Sequence, residues 1–122
     1  MGKFSNNDIY FAEQYMKTIN GNSNDYEEEI KRRRRLDFNI IVKLYKSGNE
    51  KKLTDAKKML DNLVKELIID YKRKSYSPKY SKKLTLNFLL DEMSKYFLNK
   101  KEKQNFLNFL KQNKDISEEI SI

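Results

Sequence analysis

The sequence contains no cysteine and no histidine, and it has one proline and three glycines. Without cysteine, the chain can form neither a disulfide nor a zinc–thiolate site. Without histidine, it lacks the side chain that most often ligates metals or serves as a general base. Glycine-rich phosphate loops and nucleophile elbows are also missing. We therefore predict that the protein is not an enzyme, has no cofactor or metal site, and takes no small-molecule substrate.

Long apolar runs are absent as well. No stretch approaches the roughly 18 consecutive apolar residues of a membrane-spanning helix. The N-terminal sequence MGKFSNNDIYF has no apolar core of a secretory signal, and no lipid-anchor motif is present. We expect a cytoplasmic protein that does not associate with membranes.

Between its few glycines and its proline, the chain places apolar residues at helical spacing. Residues 36–45 are apolar on most sides; a strand is the alternative there, but the helical flanks favour a buried central helix. Thr85 is expected as a helix N-cap after a loop that contains Pro78. The pattern predicts an all-α fold, a single compact bundle of about five helices with an antiparallel central hairpin. The predicted helices cover residues 7–19, 25–47, 50–74, 85–98 and 102–112.

Charge is distributed unevenly along the 122 residues. Residues 1–29 carry a net charge of −4, residues 30–114 carry +15, and residues 115–122 carry −3, which gives +8 in total. We predict one domain over residues 1–122, made of an acidic N-terminal helix and loop (1–24), a basic helical body (25–114) and an acidic C-terminal tail (115–122). A basic body suits a polyanion such as nucleic acid, although a lysine-rich composition alone also produces one.

Residues 31–35 form the run Lys-Arg-Arg-Arg-Arg. The guanidinium fork matches phosphate oxygens two at a time, so the run is a candidate phosphate-binding element. An equally strong alternative is that the helix stabilises itself, because three glutamates stand four residues before the first three basic residues. Arg34 and Arg35 have no acidic residue four positions earlier, so they are the better candidates. The glutamates are Glu27, Glu28 and Glu29.

Lysines recur at every seventh residue of the predicted helix over 50–74, so they lie along one side of it. Basic residues continue into the loop around Pro78, where Tyr76 and Tyr80 are placed to stack on unpaired bases. The alternative is an ordinary solvated helix face. The expected role of the basic residues is to neutralise phosphate charge. The predicted nucleic-acid-binding residues are Arg34, Arg35, Lys58, Lys65, Lys72, Arg73, Lys82 and Lys83.

The predicted helix over 102–112 has a polar face of Gln104, Asn108, Lys111 and Gln112. Amide side chains hydrogen-bond base edges, and the short link 99–101 would allow a helix-turn-helix with the preceding helix. A hydrated surface is the simpler interpretation, so this face is not included in the predicted site.

Together, these features predict a non-enzymatic helical module that contacts the phosphate backbone of nucleic acid as an accessory subunit of larger machinery. The alternative is a small phage- or mobile-element-type interaction protein that docks on a nucleic-acid-processing protein and inhibits or adapts it. In that case Tyr76 and Tyr80 would anchor the partner, while Glu27, Glu28 and Glu29 would face its basic surface. No family motif occurs. In being short, basic and helical, the chain resembles the small helical subunits of CRISPR effector complexes and small phage proteins that block host nucleic-acid machinery; neither resemblance implies a site residue.

Overall fold

A computed structural model of the chain describes residues 23–120. Every regular element within this range is helical, which confirms the all-α prediction for the described part of the chain. The predicted helix over 7–19 lies outside the described residues, so the predicted number of helices remains a prediction. The antiparallel hairpin also remains a prediction. The elements are α1 (Ser23–Lys46), α2 (Glu50–Arg73), α3 (Pro78–Met93), α4 (Lys100–Leu110) and a 3-10 helix (Ser117–Glu119).

The chain divides into two compact units, Met1–Arg34 and Arg35–Ile122, so the boundary falls inside α1. Of the first unit, the structure describes residues 23–34, which form the N-terminal part of α1. The second unit contains the rest of α1 and every later element. The assignment of residues 1–122 to one domain remains a prediction.

Local sequence explains where α1 ends and α2 begins. Gly48 follows α1 with a φ of +73°, a left-handed conformation that glycine adopts without a Cβ clash. The Asn49 side chain accepts hydrogen bonds from the backbone N–H groups of Lys51 at 2.9 Å and Lys52 at 3.2 Å. Asn49 therefore satisfies two of the N–H groups that the first turn of α2 leaves without an intrahelical partner.

The start of α3 lies earlier than predicted. Thr85, the predicted N-cap, is fully buried within α3, and its hydroxyl donates to the Ser81 carbonyl at 2.8 Å. The actual N-cap is Ser77, whose hydroxyl accepts from the Tyr80 N–H at 3.1 Å. Pro78 occupies the first turn, where its fixed φ suits the helix and its missing N–H leaves no donor unsatisfied. Pro78 is therefore the first residue of α3 and does not lie in the loop that the sequence predicts.

One face of α1 is buried. Phe38, Ile41 and Val42 are almost inaccessible to solvent, whereas Leu36 is 50% and Ile40 is 45% exposed. The segment is therefore buried along one face, although its sequence is apolar on most sides. Leu36 and Ile40 stay at the surface because the core lies along only one side of α1.

The apolar residues that recur at helical spacing along one face of α2 are buried, except at the two ends of this stripe, where Leu53 and Tyr71 are partly exposed. α2 packs against α3, which contributes Leu86, Leu89 and Met93 to the core. This pairing holds the C-terminal end of α2 beside the first turns of α3, because only a short link separates them. The buried residues of α2 are Ala56, Leu60, Leu63, Val64, Leu67 and Ile68.

The rings of four other aromatic residues pack around Phe106, a fully buried residue of α4. The ring centroids of Phe97 and Tyr45 lie 4.7 and 4.9 Å from that of Phe106. Those of Phe109 and Phe38 lie at 5.4 and 5.8 Å. Phe97 belongs to the link after α3, where the sequence predicts the last turn of a helix. The cluster therefore joins α1, α4 and this link through ring contacts.

Asn113 attaches the C-terminal residues to the core. Its side-chain amide donates to the Asp61 carboxylate of α2 at 2.7 Å. Its side-chain oxygen accepts from the backbone N–H groups of Asp115 at 2.9 Å and Ile116 at 3.3 Å. Ile116 and Ile120 are buried, so residues 115–120 of the acidic tail are packed on the protein.

Candidate functional site

Six of the predicted site residues lie within residues 72–83, which span the end of α2, the link 74–77 and the first turns of α3; we call this segment the basic turn. Backbone hydrogen bonds shape it: the Ser75 N–H donates to the Lys72 carbonyl at 2.9 Å, and the Tyr76 N–H to the Tyr71 carbonyl at 3.3 Å. Ser75 has a φ of +73°, a left-handed conformation that is uncommon for serine. The six predicted residues are Lys72, Arg73, Tyr76, Tyr80, Lys82 and Lys83.

Tyrosine rings form a row at the basic turn. The ring centroid of Tyr76 lies 6.2 Å from that of Tyr71 and 5.4 Å from that of Tyr80. Tyr76 and Tyr80 are 42% and 47% exposed, so their rings are available to a ligand. Burial raises the pKa of Tyr71, and the nearby Asp70 and Tyr76 raise it further. The row therefore offers aromatic surface, and such surface stacks on planar groups.

The basic turn contains six cationic side chains and no acidic one. Lys72, Arg73 and Lys83 are exposed, and Lys82 is partly buried. Lys79, which the sequence-based prediction left out, is exposed in the first turn of α3. The sixth cation, Lys74, already takes part in an interaction within the protein. Cations concentrated in this way produce a positive potential at the two exposed tyrosines.

Exposed lysines continue from the basic turn along α2. Lys51, Lys58, Lys65 and Lys72 are all exposed, and none belongs to the buried stripe of the helix. The helical rise separates consecutive members of the series by about 10.5 Å, so Lys58 and Lys72 are about 21 Å apart along the axis. The predicted lysine face is therefore at the surface, and its role in binding remains a prediction.

The arginine run lies at the boundary between the two units. Arg32 Nε donates to Glu29 Oε2 at 3.2 Å, and Arg32 Nη2 donates to Glu29 Oε1. This hydrogen bond, together with the positive charge of the arginine, lowers the pKa of the Glu29 carboxyl. Arg34 and Arg35 are only partly exposed, and Arg34 takes part in an interaction. Both lie outside residues 72–83, so they are not part of the candidate site, and their role in binding remains a prediction.

The predicted acidic partner-binding residues are also partly engaged. Glu29 is paired with Arg32, Glu27 is partly buried and takes part in an interaction, and Glu28 is exposed. Residues 1–24 contain two lysines and two acidic residues, so this segment is not acidic as predicted. The acidic excess before residue 30 lies in the first turns of α1.

The predicted polar face of α4 lies at the surface, since Gln104, Asn108, Lys111 and Gln112 are all exposed. Asn108 and Gln112 line a groove of about 400 Å³, but their companion there is Asn105. Gln104 and Lys111, which complete the predicted face, are exposed and do not line the groove. The link between α3 and α4 spans residues 94–99, longer than the predicted link, so it differs from the tight turn of a helix-turn-helix.

Among the described residues, no group of three or more acidic side chains is placed to hold a metal ion. None of the helices within residues 23–120 is both long and apolar enough to cross a membrane. No family model, no curated protein and no solved structure matches the chain.

Proposed function

We propose that the protein is a non-enzymatic module that binds single-stranded DNA or RNA at the basic turn, as an accessory subunit of larger nucleic-acid machinery. The proposal rests on one observation: residues 72–83 combine six cations, no acid and two exposed tyrosines whose rings are in contact. Cations neutralise phosphates of any sequence, whereas exposed aromatic faces stack on unpaired bases. A duplex keeps its base faces stacked, so the tyrosines favour a single strand.

The lysines of α2 provide a path for such a strand. From Lys72 at the basic turn, Lys65 lies about 10.5 Å and Lys58 about 21 Å along the helix. All three are exposed. A strand whose bases stack on Tyr76 and Tyr80 therefore meets further cations if it continues along α2, and it is held without reading of its sequence.

The salt dependence of binding tests the phosphate contacts. A fluorescent single-stranded oligonucleotide of mixed sequence is titrated with protein at several salt concentrations, and anisotropy gives the affinity. If about five phosphates are neutralised, log K falls with log salt at a slope near −3.5. Raising salt from about 50 to about 200 mM then weakens binding roughly 130-fold. Folded protein that binds no strand at the lower salt would contradict the proposal.

A matched pair of charge variants locates the contacts. Lys72→Gln with Lys83→Gln removes two cations from the basic turn, and Lys100→Gln with Lys114→Gln removes two exposed cations elsewhere. Both variants lower the net charge from +8 to +6. We expect the first to reduce the slope by about 1.4 and the second to leave it nearly unchanged. Equal losses would show that overall charge, and not the basic turn, attracts the strand.

The tyrosines are tested in the same assay. Tyr76→Ala with Tyr80→Ala is expected to weaken single-strand binding about 5- to 150-fold for each stacked base that is lost. The corresponding phenylalanine variants keep the rings and should bind like the wild type. Tyr26→Ala removes a ring that is 65% exposed outside the basic turn and serves as the control. Wild-type affinity in the double alanine variant would exclude stacking.

A protein partner is the second candidate, because exposed tyrosines are also typical anchors of protein interfaces. In this case the chain is a phage- or mobile-element-type protein that inhibits or adapts a nucleic-acid-processing enzyme. Affinity capture from cell extract, with and without nuclease, separates the two candidates. A partner that stays bound after nuclease treatment and is lost in the double alanine variant of Tyr76 and Tyr80 would favour the second candidate.

A further inference from the structure

The groove beside α4 is large enough for a ligand. Its volume is about 400 Å³, and it lies between the first turns of α2 and one edge of α4. Ligand sites in proteins usually measure about 300–1,000 Å³. Tyr45 and Phe109 contribute aromatic surface, with their ring centroids 5.0 Å apart. A planar ligand can therefore contact aromatic rings in this groove.

Carboxamides line the α4 side of the groove. Asn105, Asn108 and Gln112 stand at positions i, i+3 and i+7, so they share one face of the helix. Within residues 23–120, none of these three side chains makes a hydrogen bond to another residue. Each carboxamide has both N–H donors and an oxygen acceptor. The groove therefore presents free donors and acceptors beside an aromatic surface.

The α2 side of the groove supplies one cation and one carboxylate. Lys57 lines the groove and is exposed, and Glu50 is the acidic residue of the lining. The hydroxyl of Thr54 already donates to the Glu50 carbonyl at 3.1 Å. Recognition at this site would therefore come from the amides of α4, with Lys57 placed to attract an anionic group of the ligand.

We propose that this groove binds one unpaired nucleobase of a nucleotide, with the base edge hydrogen-bonded by the amides of α4 and the phosphate attracted by Lys57. Bases present adjacent donors and acceptors on one edge and apolar faces on both sides, which matches the two kinds of surface in the groove. The site is separate from the basic turn, since Lys57 and Lys72 are about 22 Å apart along α2. The two sites can therefore be tested independently.

The four nucleoside monophosphates provide the probe. Each is titrated into isotopically labelled full-length protein while the side-chain NH₂ resonances of Asn105, Asn108 and Gln112 are recorded by NMR. We expect at least one nucleotide to shift these resonances in a saturable manner, with a dissociation constant in the millimolar range. Ribose 5-phosphate, which has no base, should leave them unchanged. No shift with any nucleotide at about 10 mM, where a 1 mM site is mostly occupied, would overturn the proposal.

Two alanine variants on α4 form the matched test. Asn108→Ala removes an amide from the groove, and Gln104→Ala removes an exposed amide of the same helix that does not line it. We expect nucleotide affinity to fall about 5-fold or more in the first and to stay unchanged in the second. Equal affinity in both, or equal shifts with ribose 5-phosphate, would overturn base recognition. The melting temperature of each variant shows whether it is folded.

The result of the mononucleotide test of the groove can be distinguished from the result of the oligonucleotide test of the basic turn. The double variant Tyr76→Ala with Tyr80→Ala alters the basic turn alone, so it should bind mononucleotide in the groove like the wild type. Loss of mononucleotide binding in this variant would contradict a separate groove site. Failure of the basic turn to bind oligonucleotides would leave the NMR test of the groove fully interpretable.

Discussion

Replacing Phe106 with alanine would remove the residue around which the aromatic rings of the second unit pack. Its ring is fully buried and contacts Phe38, Tyr45, Phe97 and Phe109 at centroid distances of 4.7 to 5.8 Å. These neighbours belong to α1, α4 and the link between α3 and α4, so no single element can move inward to fill the space. The cavity would persist, and its lining would lose dispersion contacts.

The magnitude follows from burial and ring contacts. Truncating a buried phenylalanine to alanine costs about 3–5 kcal/mol. Phe106 should lie in the upper half of this range, because each aromatic pair contributes about 0.5–1.5 kcal/mol beyond its buried area. For a domain of this size, a loss of that magnitude lowers the melting temperature by about 12 °C or more.

Urea denaturation followed by circular dichroism measures this loss directly. Leu98→Ala is the matched control, because Leu98 follows Phe97 in the same link and is 84% exposed. Its free energy of unfolding should change by less than about 0.5 kcal/mol. If Phe106→Ala stayed within about 1 kcal/mol of the wild type, the described packing of the rings would be incorrect.

Three further changes test other parts of the structure. Leu63→Ala should reduce the free energy of unfolding by about 2–5 kcal/mol in urea denaturation, and a cost near zero would mean that the α2 stripe is not buried. Asn113→Ala should cost about 2–4 kcal/mol in the same assay, since it leaves the Asp61 carboxylate and two backbone N–H groups without their partner; an unchanged midpoint would contradict that role. Burial raises the pKa of both Tyr45 and Tyr71, so the unfolded chain loses these two protons at a lower pH than the folded protein does. The contribution of these tyrosines to the free energy of unfolding should therefore be complete below about pH 10 and fall above it. The double phenylalanine variant of these tyrosines should lose the late-ionising component of the near-ultraviolet absorbance titration, and retention of that component would refute the assignment.

The helices were largely predictable from sequence where the apolar spacing is uninterrupted. Leu60, Leu63 and Leu67 follow the period of one helix face, and all three are buried. The start of α3 was not predictable, because a serine followed by a proline is compatible with either a loop or a helix N-terminus. The fully buried positions of Ser81 and Thr85 depend on packing against the core, and small polar residues give no apolar signal for it.

The candidate site was predictable as a set of residues but not as an arrangement. The exposure of Lys65 and Lys72 follows from their position outside the apolar stripe of α2. The contact between the rings of Tyr76 and Tyr80 depends on the turn before α3, where Ser75 is left-handed. A serine gives little warning of that conformation, which a glycine or asparagine would have indicated.

The groove was not predictable because its lining on α4 includes Asn105, which lies outside the predicted polar face. Each residue step turns a helix by about 100°, so Asn105, which lines the groove, is directed about 100° around α4 from Gln104, which does not line it. In the sequence, both Gln104 and Asn105 are at helical spacing from Asn108 and Gln112. Only the burial of Phe106 and Phe109 against the aromatic cluster decides which amides of α4 face α2.

The most direct measurement of where a strand binds is photo-crosslinking of a mixed-sequence single-stranded oligonucleotide to the folded protein, with the linked peptide identified by mass spectrometry. We expect crosslinks at Tyr76 or Tyr80, competed by unlabelled single strand and reduced at high salt because phosphate contacts are screened. A crosslink confined to peptides outside residues 72–83, or no crosslink at low salt with folded protein, would contradict binding at the basic turn.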